Sequence, residues 1–303
     1  LQGRRRDAFW QQVNPFHMKT IPLVPSAFLL ATGLGLAGTP AAPAPDKSAY
    51  NLFNPVPDNL LRDLDTDRPD KTNSPHTLDA GHFQIESGLF AYTRTTASGV
   101  RSENFSWADT VLRVGLLPWA ELQVEVPVYQ TNRDTLLATR DTQHTRGSGD
   151  LSVFLKANLW GNEAGDTAGG LEFWVKTPTA SQEIGNRKVE GGALFMLDIK
   201  LPGDFDLGVN NGVGISANDS DNGYHADIIN SVSVSHTITG PLTGYLEFYS
   251  LVPTRGNGDW VGSLDVGLLL TIGKNVQVDA GINMGVTPGA DDWLPFVGMS
   301  CRF

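Results

Sequence analysis

Cysteine is nearly absent from this chain of 303 residues, with a single copy at Cys301. One cysteine makes no intramolecular disulfide, so an exported fold held by disulfides is excluded, and it does not sit at the signal cleavage site, as a lipoprotein anchor would. Positive charge is also scarce: 22 Lys and Arg stand against 33 Asp and Glu, a net charge of −11. A polyanion of this kind is a poor partner for nucleic acid. No apolar run reaches the roughly 20 residues of a membrane-spanning helix. The closest stretch, Ile21–Leu36, is short and is broken by Pro22 and Pro25. The motifs H-E-x-x-H, G-x-S-x-G and the phosphate-binding loop are missing as well. What the chain has in quantity is glycine, 33 residues, and proline, 18, as a turn-rich β protein does.

The front of the chain reads as an export leader. Lys19 gives a short positive region after Met18, Ile21–Leu36 is the apolar region, and Ala37 or Ala41 offers a small-residue cleavage point. The expected division is residues 1–17 as an upstream extension, 18–41 as signal peptide, 42–81 as a periplasmic or plug segment and 82–303 as the main domain. Removing residues 1–41 takes away Arg4, Arg5, Arg6 and Lys19 but only Asp7 among the acids, which makes the remainder still more acidic.

After Gly81 one pattern recurs: about ten residues with apolar side chains at every second position, then a turn. In "VQVDAGINMGV" Val276, Val278, Ala280, Ile282, Met284 and Val286 share one face, opposite Gln277, Asp279 and Asn283. Period two means a strand with one apolar and one polar face. About twelve such segments follow one another, near 82–94, 103–116, 120–132, 149–160, 170–178, 190–201, 205–218, 227–238, 242–252, 261–272, 276–286 and 294–303. Their connections sort by length. Tight links at 117–120, 202–204, 239–242 and 273–275 alternate with long polar ones at 133–148, 179–189, 219–226, 253–260 and 287–293, and the link 161–170 is long for its class. Short turns at one end and long loops at the other predict an all-β, transmembrane, up-and-down antiparallel barrel in a bacterial outer membrane. An even strand count puts both ends of the barrel domain on the short-turn, periplasmic side. Strands of this length cross the apolar layer when tilted, and only a closed sheet pairs every backbone group there. Aromatics at strand ends suit interfacial girdles: Trp119, Trp160 and Phe205 at the turn end, Trp260 and Trp293 at the loop end.

The apolar faces then meet lipid and the polar faces line a lumen. Alternation assigns to the lumen Glu86, Arg94, Asp109, Arg113, Glu125, Lys156, Glu172, Lys176, Asp198, Lys200, Asp206, Glu247, Asp265, Asp279 and Arg302. Both signs are present, so these side chains either pair and fill the interior or tune the passage of a solute. Tyr92, Tyr129, Trp174, Tyr245 and Tyr249 fall on the same face, as a slide for ring-bearing or apolar solutes or as wedges in a narrow barrel. His76, His82, His144, His225 and His236 lack ligand spacing, so no metal, cofactor or catalytic site is expected.

The stretch "DTDRPDKTNSPHTLDAGHFQIESG", from Asp65, leads into the first strand. Its Thr66, Asp67, Arg68, Pro69, Asp70, Ser74, Pro75, Thr77, Gly81, His82, Phe83, Gln84 and Glu86 resemble the front signature of the bacterial outer-membrane family of the phenol meta-cleavage (MetA) degradation pathway, whose members are labelled transporters. The closing "PFVGMSCRF" is similar to that family's last strand. The resemblance implies an outer-membrane barrel with a transport role and brings no established binding residues. Asp67, Arg68, Asp70, His76 and His82 are the candidate gate or plug residues, with Arg68 and Lys71 available to neutralise the aspartates. The reading is a passive channel for uptake or efflux of small molecules, aromatic and hydrophobic ones among the candidates, and not an enzyme. The alternatives are a structural or adhesive barrel with a closed lumen and a barrel hydrolase. Expected partners are outer-membrane lipid, a small solute and the barrel-assembly machinery, which would read the terminal Phe303.

Overall fold

The computed structural model describes residues 45–218, 223–255 and 259–303. The leader and the extension before it lie outside the described residues. Thirteen strands follow in order: β1 (Phe83–Ala97), β2 (Val100–Leu117), β3 (Ala120–Leu136), β4 (Thr142–Gly147), β5 (Ser152–Trp160), β6 (Thr167–Lys176), β7 (Glu190–Leu201), β8 (Phe205–Ala217), β9 (Tyr224–Thr239), β10 (Leu242–Pro253), β11 (Val261–Ile272), β12 (Val276–Gly285) and β13 (Trp293–Arg302). Successive strands pair antiparallel, and β13 returns to β1 in the register Gln84↔Arg302, which closes the barrel. β4 and β5 share one position. β3 pairs with β5 over its first half (Ala120↔Ala157) and with β4 over its second (Gln130↔Gly147), so the wall has twelve staves. The segment expected as a loop at 133–148 is therefore largely a hairpin that lengthens the wall.

Burial is inverted relative to a water-soluble protein. Leu246 is 56% and Phe173 52% exposed, whereas Lys156, Glu121 and Asp265 are at 0%. Period-two alternation produces this directly: every second residue of each strand points outward, and those residues are apolar. Among the described residues no helix is long and apolar enough to span a membrane, and the crossing is made by strands. The tight links expected at 117–120, 202–204, 239–242 and 273–275 all join strands at one end. The β5–β6 link spans 161–166, longer than its class, because it holds the N-terminal segment, as described below.

Two features depart from the simple pattern. β1 and β2 are joined at the long-loop end by only Ser98 and Gly99, both at positive φ (51° and 78°), the geometry of a tight hairpin. Reach at this end comes from strand length instead: β1, β2 and β3 have 15, 18 and 17 residues. Part-way along these strands lies a kink. The β1–β13 register slips between Gly88 and Phe90, and Ala108 in β2 has φ of 52°. Below the slip Gly88 pairs with Gly298, on the inner face. Above it Phe90 pairs with Val297, on the lipid face. An extra residue in a ladder reverses which side chains face out. Tyr92, Arg94 and Tyr129, assigned to the lumen by unbroken alternation, therefore belong to the outer face: Arg94 pairs with Trp293, which pairs with the lipid-facing Met284, and Tyr129 pairs with Trp107.

Candidate functional site: a lumen crossed by the N-terminal segment

Residues 45–82 contain one short 3₁₀ turn, Asp58–Leu60, and no strand. A segment without a ladder must satisfy its backbone and charges elsewhere, and this one does so on the barrel. At the turn-end rim Leu52 N–H donates to the Leu116 carbonyl of β2, while Val56 N–H donates to the Ala80 carbonyl within the segment itself. From Arg62 onward the chain runs through the lumen and touches every stave. Asp67 and Arg68 donate their backbone N–H groups to Glu86 of β1. Asp67 then accepts from Gln123 of β3 (2.9 Å) and Lys156 of β5 (2.6 Å), with Arg113 of β2 at 3.6 Å. Asn73 donates to Glu172 of β6, and His76 lies 4.0 Å from Asp198 of β7. Thr72 packs over Gly208 of β8 and bonds Ser231 of β9 and Glu247 of β10. Lys71 reaches Asp265 of β11 (2.9 Å), Arg68 reaches Asp279 of β12 (2.8 Å), and Arg302 of β13 donates to the Arg62 carbonyl.

The charges are thus exchanged between segment and wall. Arg68 and Lys71 do not neutralise the neighbouring aspartates, as the sequence suggested; they go to Asp279 and Asp265. Asp67 takes its counter-charges from Lys156 and Arg113. Burial pushes the Asp67 carboxyl upward, but Arg113 and Lys156 outweigh it and bring it down to about 2. Asp70 is different. Burial, reinforced by Asp67 and Asp65, drives its carboxyl up to about 7 despite a hydrogen bond with Ser233. At the turn end a second set clamps the segment. Lys47 and Arg62 both bind Asp79 (2.9 and 3.2 Å) and both bind Glu163 of the β5–β6 link (2.8 and 3.0 Å). Close approach requires glycine at two wall positions. A Cβ at Gly298 would collide with the Arg68 guanidinium, and one at Gly115 with the Asp79 carbonyl.

The segment leaves a chamber on each side of itself. Toward the long loops lies a cavity of about 380 Å³, floored by Lys71 and Asn73 and walled by Phe154, Trp174, Leu194, Ile229 and Tyr249. Toward the turns lies one of about 810 Å³, lined by Asp63, Asp65, Asp70, Asp198 and Asp206 together with Lys200 and Arg302. Lys71 and Asn73 face the first chamber, while Asp70, Thr72, Ser74 and His76 face the second.

The structure places Glu86, Arg113, Lys156, Glu172, Asp198, Glu247, Asp265, Asp279 and Arg302 around the segment. Asp109, Glu125 and Lys176 line the inner face nearer the loop end, and Lys200 and Asp206 the turn-end mouth. Arg94 is outside, as described above. Of the gate candidates, Asp67, Arg68, Asp70 and His76 lie in the lumen. His82 does not: it sits on the rim with its ring nitrogens 2.7 Å from the Val56 carbonyl and 3.1 Å from that of Phe303, tying the segment to the barrel seam. Glu121 was missed, though it shares the parity of Glu125; it binds Arg113 at 2.9 Å and accepts the Leu78 N–H. Lys47, Arg62, Asp79 and Glu163 carry no sequence signal, because their meeting depends on the path of the segment. Among the described residues no three His, Cys, Asp or Glu side chains group as metal ligands.

Comparison with known proteins now places the chain. Residues 66–303 match the family described as "Putative MetA-pathway of phenol degradation". The chain belongs to that family. The match starts at Thr66, inside the lumen segment, so segment and wall belong to one family unit. No curated protein matches this family member in sequence. Among solved structures it is similar to an outer-membrane channel from Pseudomonas putida F1, with a TM-score of 0.54 at 10% identity over 73% of this chain and 95% of the other. It is also matched by the translocator domain of the autotransporter NalP from Neisseria meningitidis, with a TM-score of 0.42 at 12% identity over 73% and 88% of the two chains. The fold is that of an outer-membrane barrel.

Proposed function

We propose that this MetA-pathway family member is a passive outer-membrane channel for small molecules, and that residues 62–79 are its gate. The observation that carries this reading is the pair of chambers separated by one irregular segment held to the wall by hydrogen bonds and ion pairs. Such contacts can be exchanged for water when the segment moves, which a packed apolar core does not allow. The Pseudomonas putida neighbour, described as an outer-membrane channel, supports the reading at the level of fold. Phe154, Trp174 and Tyr249 in the loop-end chamber favour solutes with an aromatic or apolar portion. The charged groups of the lumen engage one another and the gate, an arrangement suited to gating rather than to catalysis.

Thr72 and Ser231, whose hydroxyls are 2.8 Å apart, provide the test. With Cys301→Ser as background, Thr72→Cys and Ser231→Cys lock the gate when oxidised. The oxidised barrel in planar bilayers and swelling liposomes should pass no solute, and the reduced form should conduct. A variant lacking residues 62–76 should pass small solutes freely. If that variant is impermeable, the closed structural barrel is the correct reading. We further propose that the barrel-assembly machinery reads Phe303, which is 66% exposed. Phe303→Ala should lower the amount of heat-modifiable barrel in outer-membrane fractions several-fold.

A further inference from the structure

Above the kink in β1–β3 the outer face changes character. Its base is a cluster of rings: Phe105 stacks on Trp107 with centroids 6.0 Å apart, and Trp107 meets Tyr129 at 5.7 Å. Immediately beyond the rings come arginines. Register puts Arg94 opposite Glu103, Glu103 opposite Arg133, Arg101 opposite Thr135, and Arg146 opposite Thr131. Arg101, Arg133 and Arg146 thus form a diagonal across β2, β3 and β4, with neighbours about 7–8 Å apart. Arg94 stands level with Trp293 and has Asp292 at 3.9 Å. Among the described residues the three diagonal arginines form no ion pair. Glu103, the acid opposite Arg133, accepts the Tyr92 hydroxyl at 2.8 Å. In a chain of net charge −11 this is a local concentration of unpaired positive charge.

Unpaired surface arginines alone would be an ordinary solvated face. Their position decides otherwise. Interfacial rings mark the depth where acyl chains give way to headgroups, and the long-loop end of such a barrel faces outward. The guanidiniums therefore stand at headgroup level in the outer leaflet, continuous with the lipid-facing surface below. Guanidinium forks match phosphate oxygens in charge and geometry.

We propose that this panel of β1–β4 binds a phosphorylated glycolipid of the outer leaflet, with phosphates on Arg101, Arg133 and Arg146 and acyl chains on the rings beneath. The site rests on the outer-membrane fold and is independent of gating, so the channel reading can fail without it. The test uses the purified full chain in detergent, titrated with diphosphorylated lipid A, with phosphatidylcholine and with inorganic phosphate, and read by native mass spectrometry. Lipid A should bind at least about tenfold more tightly than phosphatidylcholine, and the triple variant Arg101→Gln, Arg133→Gln, Arg146→Gln should lose about tenfold or more. Inorganic phosphate should neither bind nor compete. An unchanged affinity in the triple variant overturns the proposal, as does phosphate competing as well as the lipid, which would mark a simple anion site. If the triple variant fails to fold, Glu103→Gln replaces it: loss of the acid opposite Arg133 should raise lipid A affinity, and no change or a fall counts against the site.

Discussion

The lumen below the kink and the outer panel above it are both rich in charge, and they treat it in opposite ways. In the lumen Lys156, fully buried, lies 2.6 Å from Asp67 and 3.8 Å from both Glu121 and Glu172. On the panel Arg133 is exposed and has no ionic partner among the described residues. The cause is water. A buried ion left without a partner costs several kcal/mol, so the lumen holds its charges beside complements drawn from the segment and from neighbouring staves, as Arg113 is held by Asp67, Glu86 and Glu121. An exposed guanidinium keeps its hydration and needs no partner until a ligand arrives. The same residue types therefore act as a lock inside and as a free surface outside.

The sharpest way to break this comparison is to remove one cation from each region. Lys156→Met strands three carboxylates around an apolar side chain and should weaken docking of the segment by about 3–5 kcal/mol. Arg133→Gln should change stability by no more than about 0.5 kcal/mol. Open probability in bilayers reports the first and thermal unfolding followed by gel mobility reports both. Equal effects at the two sites would remove the distinction.

A smaller effect should come from shape alone. Gly298→Val keeps every charge but places a side chain where the Arg68 guanidinium lies, above Phe296 and against Asp279. Overpacking of this kind costs about 1–3 kcal/mol. The variant should flicker open more often than the parent while the barrel itself melts at the same temperature. A lower melting temperature with unchanged gating would mean that Gly298 serves the wall and not the segment.

Much of this architecture was legible because a strand writes its two faces at period two. That period placed the staves, the short turns and most of the lumen charges. The signature around Thr66–Glu86 marked the segment as distinct. The kink was harder, since no proline marks it and Ala108, an ordinary residue, adopts the positive φ. A sign was nevertheless present: each affected strand carries two adjacent apolar residues at that level, Leu89–Phe90, Trp107–Ala108 and Val128–Tyr129. Doubling an apolar position is what a reversal of faces requires, and reading it would have moved Arg94, Tyr92 and Tyr129 outward. The pairing of Arg68 with Asp279 and of Lys71 with Asp265 left no such trace. Those partners are about two hundred residues apart in sequence, and only the path of the segment brings them together.

The gentlest probe of the lumen is pH, and two aspartates of the segment set its sign. Asp70, at about 7 when docked against 3.8 ordinarily, holds its proton more tightly in the docked state. It faces Asp198 of β7, Ser233 of β9, and Tyr245 and Glu247 of β10, with Asp65 and Asp67 beside it on the segment. Its contribution to docking is therefore complete below about pH 4 and is lost as pH rises through about 7. Asp67, at about 2 when docked, contributes above about pH 4 and loses that contribution as pH falls through about 2. Docking should be tightest in mild acid and up to about a hundredfold weaker at pH 8 than at pH 5. The reactivity of Thr72→Cys toward a soluble thiol reagent, in the Cys301→Ser background, measures it. Asp70→Asn carries no proton to lose, so its segment should stay as protected at pH 8 as at pH 5. If the asparagine variant keeps the full pH dependence, the titrating group lies elsewhere, and the polar lock would have to be relieved from the wall rather than from the segment.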